Sequence, residues 1–262
     1  MPQVFWVGVS TLFVKECLRF LKVSSQTLAS PLINAALYLV IFGVNFADRI
    51  VDQQGVDYLR FIIPGLIALS LVSNAFQNAS GSIIVSKFHG DLQDLKVVPL
   101  NSLQIILAYS LAATVRGALV GTSVGIIGQL IYFIKYDALI PIEHPFFLLG
   151  YVLMGGITFG LLGLSVALFS KSFDQINAVG SFLILPLIYL GGVFFSIQTM
   201  SLFWQSVAYA NPMLYLINGI RYAALGISDI SPNTTLLVSL GLLLGAFLLA
   251  RLAVRKGDYS RF

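Results

Sequence analysis

Residues 61–84, FIIPGLIALSLVSNAFQNASGSII, hold no charged side chain. As a helix this run rises about 36 Å at 1.5 Å per residue, and the hydrocarbon core of a bilayer is about 30 Å thick. Comparable apolar runs recur at 30–46, 103–133, 146–169, 178–195 and 235–254, each bounded by polar or turn-forming residues. They predict six membrane-spanning helices, and the composition agrees. Hydrophobic residues are 58 % and charged residues 10 % of the 262, with a mean hydropathy of +0.91; a soluble domain is about half apolar and a quarter charged. The expected fold is therefore all-α and polytopic, a single membrane domain over residues 1–262, with no length left for a soluble catalytic domain.

Within 6–28, Lys15, Arg19 and Lys22 recur at helical spacing, opposite Phe13, Cys17, Phe20 and Leu21. This pattern reads as an interfacial helix, cations at the headgroups and aromatics at the acyl boundary; a helix packed on a partner protein fits the same pattern. Ser30 and Pro31 read as the N-cap and first helical position of span one. A polar loop with Asp48, Arg49, Asp52 and Asp57 leads to span two, and the polar stretch 87–102 leads to span three. At roughly 45 Å, a helix over 103–133 exceeds the hydrocarbon core, so part of it protrudes or tilts. Arg116 is then expected near the inner boundary, its guanidinium reaching to headgroups. The polar turn SKSFDQIN separates spans four and five, and Gly121-x-x-x-Gly125 and Gly156-x-x-x-Gly160 permit close helix approach.

Basic residues are asymmetric between the two sides. Lys15, Arg19, Lys22, Lys87, Lys96, Lys171, Arg251, Arg255, Lys256 and Arg261 fall on one side, against Arg49, Arg60, Lys135 and Arg221 on the other. This predicts both termini in the cytoplasm. The single Cys17 excludes an internal disulfide, and the isolated His89 and His144 give no metal cluster. No small-residue cleavage site follows the charged N-terminal stretch, so the start is expected to stay in the mature protein. No G-x-x-x-x-G-K-[ST] phosphate loop occurs, so the chain is expected to bind no cofactor and to be no enzyme by itself. Clustered catalytic side chains are also missing from the sequence, and no nucleic-acid partner is expected.

The stretch 189–226, YLGGVFFSIQTMSLFWQSVAYANPMLYLINGIRYAALG, is too apolar for an exposed loop, yet Asn211–Pro212 breaks it. Its segments YLGGVFFS, FWQ and NPMLYLINGIRY, together with FIIPGLIALSLVSNAF at 61–76 and DLQDLKVVPLNS at 91–102, resemble the membrane subunit of type-2 ABC (ATP-binding cassette) exporters. The permeases of nodulation lipo-oligosaccharide exporters and their bacterial relatives are similar in the same segments. One departure is Ser201, where many members carry proline ahead of the tryptophan.

The resemblance implies a permease of the bacterial inner membrane, multi-pass and homodimeric, surrounded by lipid and driven by a separate cytoplasmic ATPase subunit that binds ATP and Mg. Its cargo would be amphiphilic: a lipid-linked saccharide, a glycolipid or a drug-like lipophile. It also implies that 197–226 forms two short helices re-entering the outer leaflet between spans five and six. Irregular backbone at membrane depth is tolerated only where protein buries it or a wet cavity meets it. The 87–102 segment would be the coupling helix, with Asp91, Leu92, Asp94, Leu95 and Lys96 facing the ATPase and Lys171 and Asp174 as a second contact; a solvated turn is the plain reading of the same residues.

Candidate pathway residues are Ser70, Asn74, Gln77 and Asn78 on one face of span two, and Trp204, Asn211, Pro212, Tyr215 and Arg221 in the outer segment. The span-two groups serve equally to bond neighbouring helices. The outer aromatics serve equally as an interfacial belt, and Arg221 as an anchor there or as a partner for a substrate phosphate. Arg116 has a charge on the transport path as its second reading. An ion-coupled transporter is the rival function, but the proposed spans lack the Asp, Glu or His that coupling ordinarily needs; a non-transporting scaffold is the third.

Overall fold

A computed structural model describes residues 2–44 and 56–260, and these are helical with no strand. Helix α1, Pro2–Leu21, lies along the start of α5, Ser102–Tyr136. Its inward face is Val9, Leu12, Glu16 and Phe20, at 3.6-residue spacing. Gly8 permits the approach, since a Cβ there would sit 2.6 Å from Gln104 Nε2. Arg19 is not on an outward cationic face: its Nε pairs with Glu16 at 3.0 Å and its Nη2 donates to the Asn78 carbonyl and side chain.

The chain turns at Lys22 and Val23, and α2 begins at Ser24. Ser30 and Pro31 therefore lie inside α2, Ser24–Tyr38, and do not start it. The helix widens into a π-helical stretch, Leu39–Val44. The expected loop residues Asp48, Arg49 and Asp52 lie outside the described residues.

Helix α3, Tyr58–His89, forms the centre of the bundle and packs against α5, α6 and α10. Its length is set by its caps. Asp57 accepts from the Arg60 N–H at 2.9 Å, and Gly90 at φ 88° ends the helix in the left-handed region. A 3-10 turn, Asp91–Gln93, and the single turn α4, Asp94–Val97, follow. A reciprocal capping box of Asn101 and Gln104 then launches α5.

Helix α6 spans Pro145–Phe169. Its GxxxG spacing is used against α5: a Cβ at Gly156 would lie 2.6 Å from Thr114, and one at Gly160 2.8 Å from Ala113. The second motif, Gly121 and Gly125, faces Ile67 of α3. Both motifs are thus consumed inside the chain.

The fifth span is broken into α7, Phe173–Ala178, a π-helical stretch, Val179–Ile184, and α8, Leu185–Leu190. It starts earlier than sequence spacing suggests because Ser172 caps it, accepting from the Gln175 N–H. It stops earlier because Gly191 and Gly192 turn the chain, Gly192 at φ 85°. A 3-10 turn, Ile197–Thr199, leads to α9, Leu202–Ala210, α10, Pro212–Leu225, and α11, Pro232–Lys256.

Among the described residues, five helices are long and apolar enough to cross a membrane: Tyr58–His89, Ser102–Tyr136, Pro145–Phe169, Phe173–Leu190 and Pro232–Lys256. The expected first span is a shorter apolar stretch, Leu28–Val44.

Candidate functional site

Helix α3 is buried on nearly every side, but one strip of it is open. Ser73 and Gln77 line two cavities, about 500 Å³ on the α2 side and about 370 Å³ on the α7 side. The larger one is walled by Asn34 and Tyr38 of α2, Ser70 and Asn74 of α3, Arg116 of α5 and Tyr189 of α8. The smaller one reaches Asn177 and the π-helical residues Gly180 and Ser181. Single π-helical turns inside α-helices frequently mark functional sites. Here both stretches lie in the two helices that flank the open strip.

The polar face predicted on span two therefore divides. Asn78 is 1 % exposed and is consumed by Arg19, so its role is packing. Asn74 donates to the Ser70 carbonyl within its own helix. Ser70, Asn74 and Gln77 border the larger cavity, and Gln77 is the exposed one of the three. Arg116 belongs to the wall of the same cavity. It is half-buried and lines this cavity, about 18 Å along α5 from Gln104. Its Nε has no hydrogen-bond partner among the described residues.

One end of this groove is closed by aromatic rings. The Tyr38 and Tyr189 hydroxyls are 3.3 Å apart, and Phe194 packs on Phe42 and Tyr38 at ring distances of 5.3 and 5.6 Å. Helices α2 and α8 thus meet there while the cavities separate α2, α3 and α8 elsewhere.

The α9–α10 pair lies just beyond. Asn211 both ends α9 and caps α10, its Oδ1 accepting from the Met213 N–H, while its Nδ2 donates to the Leu187 carbonyl at 2.6 Å. Pro212 takes the first helical position, where its missing N–H is no loss. Ser201, which precedes α9, has φ −65°, the backbone that proline would impose. Tyr215 donates to the Tyr209 carbonyl at 2.8 Å, and Trp204 is 49 % exposed. Arg221 is neither an interfacial anchor nor open to a ligand. It is fully buried, its guanidinium 3.9 Å from the centre of the Phe61 ring and its Nη2 donating to Gly192 O at 2.6 Å.

Two structural residues escaped the sequence reading: Asn218 and Asp229. Asn218 Oδ1 accepts from the Asp229 N–H, and the Asp229 carboxylate accepts from the Ser196 hydroxyl and the Ile197 N–H. Asn218 lies in the NPMLYLINGIRY segment and Asp229 in none of the quoted segments, and an Asn within an apolar helical stretch was the available signal.

The opposite end of the bundle gathers the candidate docking residues. Asp91 and Asp94 are exposed, as are Lys171 and Asp174, and the Phe88 and Phe173 rings bring the two segments together at 6.1 Å. Lys96 lies in α4. Leu92 does not face outward: it is 1 % exposed and belongs to the chain's own core, with Leu95 partly buried against it. The side chain presented instead is Val97, 85 % exposed. This end is braced by Lys87, whose Nζ donates to the carbonyls of Leu168 and Ser170 at 3.1 and 2.8 Å. The C-terminal tail adds an Asp258 N–H to Leu168 O bond. The hydroxyl and N–H of Ser260 hold the Asp258 carboxyl below the usual carboxylate range, with Lys87 and Lys171 adding to the effect.

Among the described residues no three His, Cys, Asp or Glu side chains gather as a metal site. Comparison with known proteins adds the remaining constraint. Residues 8–225 match the family model of the ABC-2 type transporter. The chain is 34 % identical to the inner membrane transport permease YadH of Escherichia coli over 257 residues, 98 % of each chain. It is also 24 % identical to Nodulation protein J of Neorhizobium galegae over 222 residues, 84 % of this chain and 81 % of that one. The Nodulation protein J of Rhizobium leguminosarum bv. viciae gives 22 % over the same length.

Proposed function

The chain belongs to the ABC-2 type transporter family, and on that premise we propose that it is the membrane subunit of an ATP-driven exporter of amphiphilic molecules. The observation that carries this reading is the open polar strip of α3, bounded by two cavities inside a bundle of otherwise apolar helices. A cargo with a polar head and an apolar tail matches such a groove, the head against Ser73 and Gln77 and the tail toward the lipid-facing helices. Two copies of the chain would enclose the path between them. The Tyr38–Tyr189 contact is its outer closure, and separation of α2 from α8 opens it.

In this reading the Leu28–Val44 stretch completes six spans, both termini are cytoplasmic and the α9–α10 pair re-enters the outer leaflet. A separate ATPase binds ATP and Mg and docks on Asp91, Asp94, Val97, Lys171 and Asp174. Its closure moves α4, which is joined to α3 and α5 by short turns, and so moves the walls of the groove. Of the basic residues expected inside, Lys15, Lys87, Lys171, Arg255 and Lys256 lie toward the α4 end by their place in the helices, which supports this orientation.

The test is reconstitution. The chain purified alone is expected to show no ATP turnover. Purified with its ATPase, it is expected to move a fluorescent glycolipid between leaflets of a proteoliposome when ATP is supplied, and Gln77→Leu is expected to slow this movement. Turnover by the chain alone, or ATP-independent movement driven by an ion gradient, would refute the proposal.

A further inference from the structure

We infer that Arg116 makes the larger groove cavity a binding site for a phosphate group, carried by the cargo as a lipid headgroup. This deepens the exporter reading and rests on it, because it names the chemical class of what enters the groove. Arg116 lies well inside α5 and borders a cavity of about 500 Å³. The cavity's other polar side chains are neutral: Asn34, Ser70, Ser73, Asn74 and Gln77. No carboxylate lines it among the described residues.

A guanidinium keeps its proton and loses much of its hydration when buried, so it requires a counter-charge or a set of acceptors. Neither is supplied within the chain as described. Arg116 Nε is buried without a hydrogen-bond partner. The charge whose field reaches Arg116 is Arg19, of the same sign, and the one ion pair nearby, Arg19 with Glu16, is already closed at 3.0 Å. The cavity therefore combines one uncompensated cation with amides and hydroxyls that can donate, which is the chemistry of an anion site. Planar N–H pairs of arginine match the oxygens of phosphate in bidentate fashion, and the amides of Asn34 and Gln77 add neutral donors.

Arg221 offers the contrast. Its Nε and Nη1 also lack a hydrogen-bond partner among the described residues, but its guanidinium is packed on Phe61 and its Nη2 is bonded to Gly192. A free phosphate ion and a phospholipid headgroup share the recognised chemistry. Position favours the lipid, because the cavity opens between helices that are apolar on their outer faces.

The experiment uses the full chain in neutral detergent and needs no ATPase, so its failure would leave the exporter reading standing, and failure of the exporter test would leave this one measurable. Phosphatidylglycerol, monogalactosyldiacylglycerol with the same acyl chains and no phosphate, and inorganic phosphate are titrated separately, and bound molecules are counted by native mass spectrometry. Wild type is expected to bind one phosphatidylglycerol about tenfold more tightly than the phosphate-free galactolipid, the scale of one charge-assisted hydrogen bond. Arg116→Gln is expected to abolish that preference, Arg116→Lys to retain part of it, and Arg255→Gln to leave it unchanged. A second measurement is independent of any change at Arg116. In a Cys17→Ser, Gln77→Cys chain, maleimide labelling is expected to slow with phosphatidylglycerol and not with the galactolipid. Equal binding of the two lipids, or a preference that survives Arg116→Gln with unprotected Gln77→Cys, would overturn the inference. Arg116-dependent binding of inorganic phosphate as tight as that of the lipid would support the phosphate site and overturn its assignment to a headgroup.

Discussion

Arg221 Nη2 donates to the Gly192 carbonyl at 2.6 Å, and this bond ties α10 to the turn that ends α8. Because the guanidinium also stacks on Phe61 of α3, one side chain joins three elements. Arg221→Met is expected to cost about 1.5–3 kcal/mol, the scale of a hydrogen bond to a charged group. Arg221→Lys is expected to recover less than half, because an ammonium neither stacks flat on Phe61 nor presents a planar fork. Thermal unfolding of the purified chain followed by intrinsic fluorescence measures both, and an unchanged midpoint in Arg221→Met would contradict the assignment.

Val97 and Leu92 sit in adjoining turns and are expected to behave oppositely. Val97→Asp changes an exposed side chain, so its effect on stability should stay within about 0.5 kcal/mol, while co-purification with the ATPase and stimulated ATP turnover both fall. Leu92→Ser removes a buried side chain and is expected to cost about 2–5 kcal/mol, lowering the yield of folded protein before any effect on the partner is read. If Val97→Asp assembles and turns over as wild type does, α4 is not the docking surface.

The orientation is checked by impermeant thiol labelling of intact cells in a Cys17→Ser background. Ala138→Cys and Asn233→Cys are expected to react and Lys171→Cys to stay protected until the membrane is permeabilised. All three native positions are exposed in the structure, so protection reports sidedness and not burial. Labelling of Lys171→Cys in intact cells would invert the topology.

Cys17 offers a test by pH. Burial first, and the neighbouring Glu16 second, push its thiol above the ordinary value of 9.0. The thiolate is the reactive form, so a raised value means less thiolate at any given pH. Maleimide reaction of purified wild type should therefore still be accelerating at pH 9, about tenfold per unit below the shifted value. Glu16→Gln is expected to speed the reaction at pH 8. A rate that levels off below pH 9 would show that the thiol is not raised.

The helical membrane class was legible because apolar runs of spanning length need nothing but length and hydropathy to be read. Helix ends were less so. Span two seemed to begin at Phe61, yet the Asp57 cap and the Gly90 C-cap stretch it to Tyr58–His89, since a cap extends a helix through residues whose polarity suggests a loop. Span five shifted toward the N-terminus for the same reason, with Ser172 as cap and Gly191–Gly192 as stop. At the candidate sites, residue type showed which positions were unusual, and tertiary contacts decided what they do. Asn78 and Gln77 are neighbours in sequence, but Arg19 claims the first and the groove exposes the second. Leu92 looked like a partner-facing leucine until the packing of the 3-10 turn placed it in the core. Arg116 and Arg221 are both isolated arginines in apolar surroundings, and only the space around each separates them.

Lys87 spans the gap between α3 and the end of α6, and its Nζ donates there to two main-chain oxygens, those of Leu168 and Ser170. The linkage is therefore unequal in how it can change during evolution. Any residue at 168 or 170 presents the same carbonyl, so those positions can drift without loosening the brace. The donor has no such freedom: a shorter side chain does not reach, and an acidic or apolar one has nothing to give. The hydrogen-bonded part of a joint between two helices that are distant in sequence thus depends on the identity of a single codon.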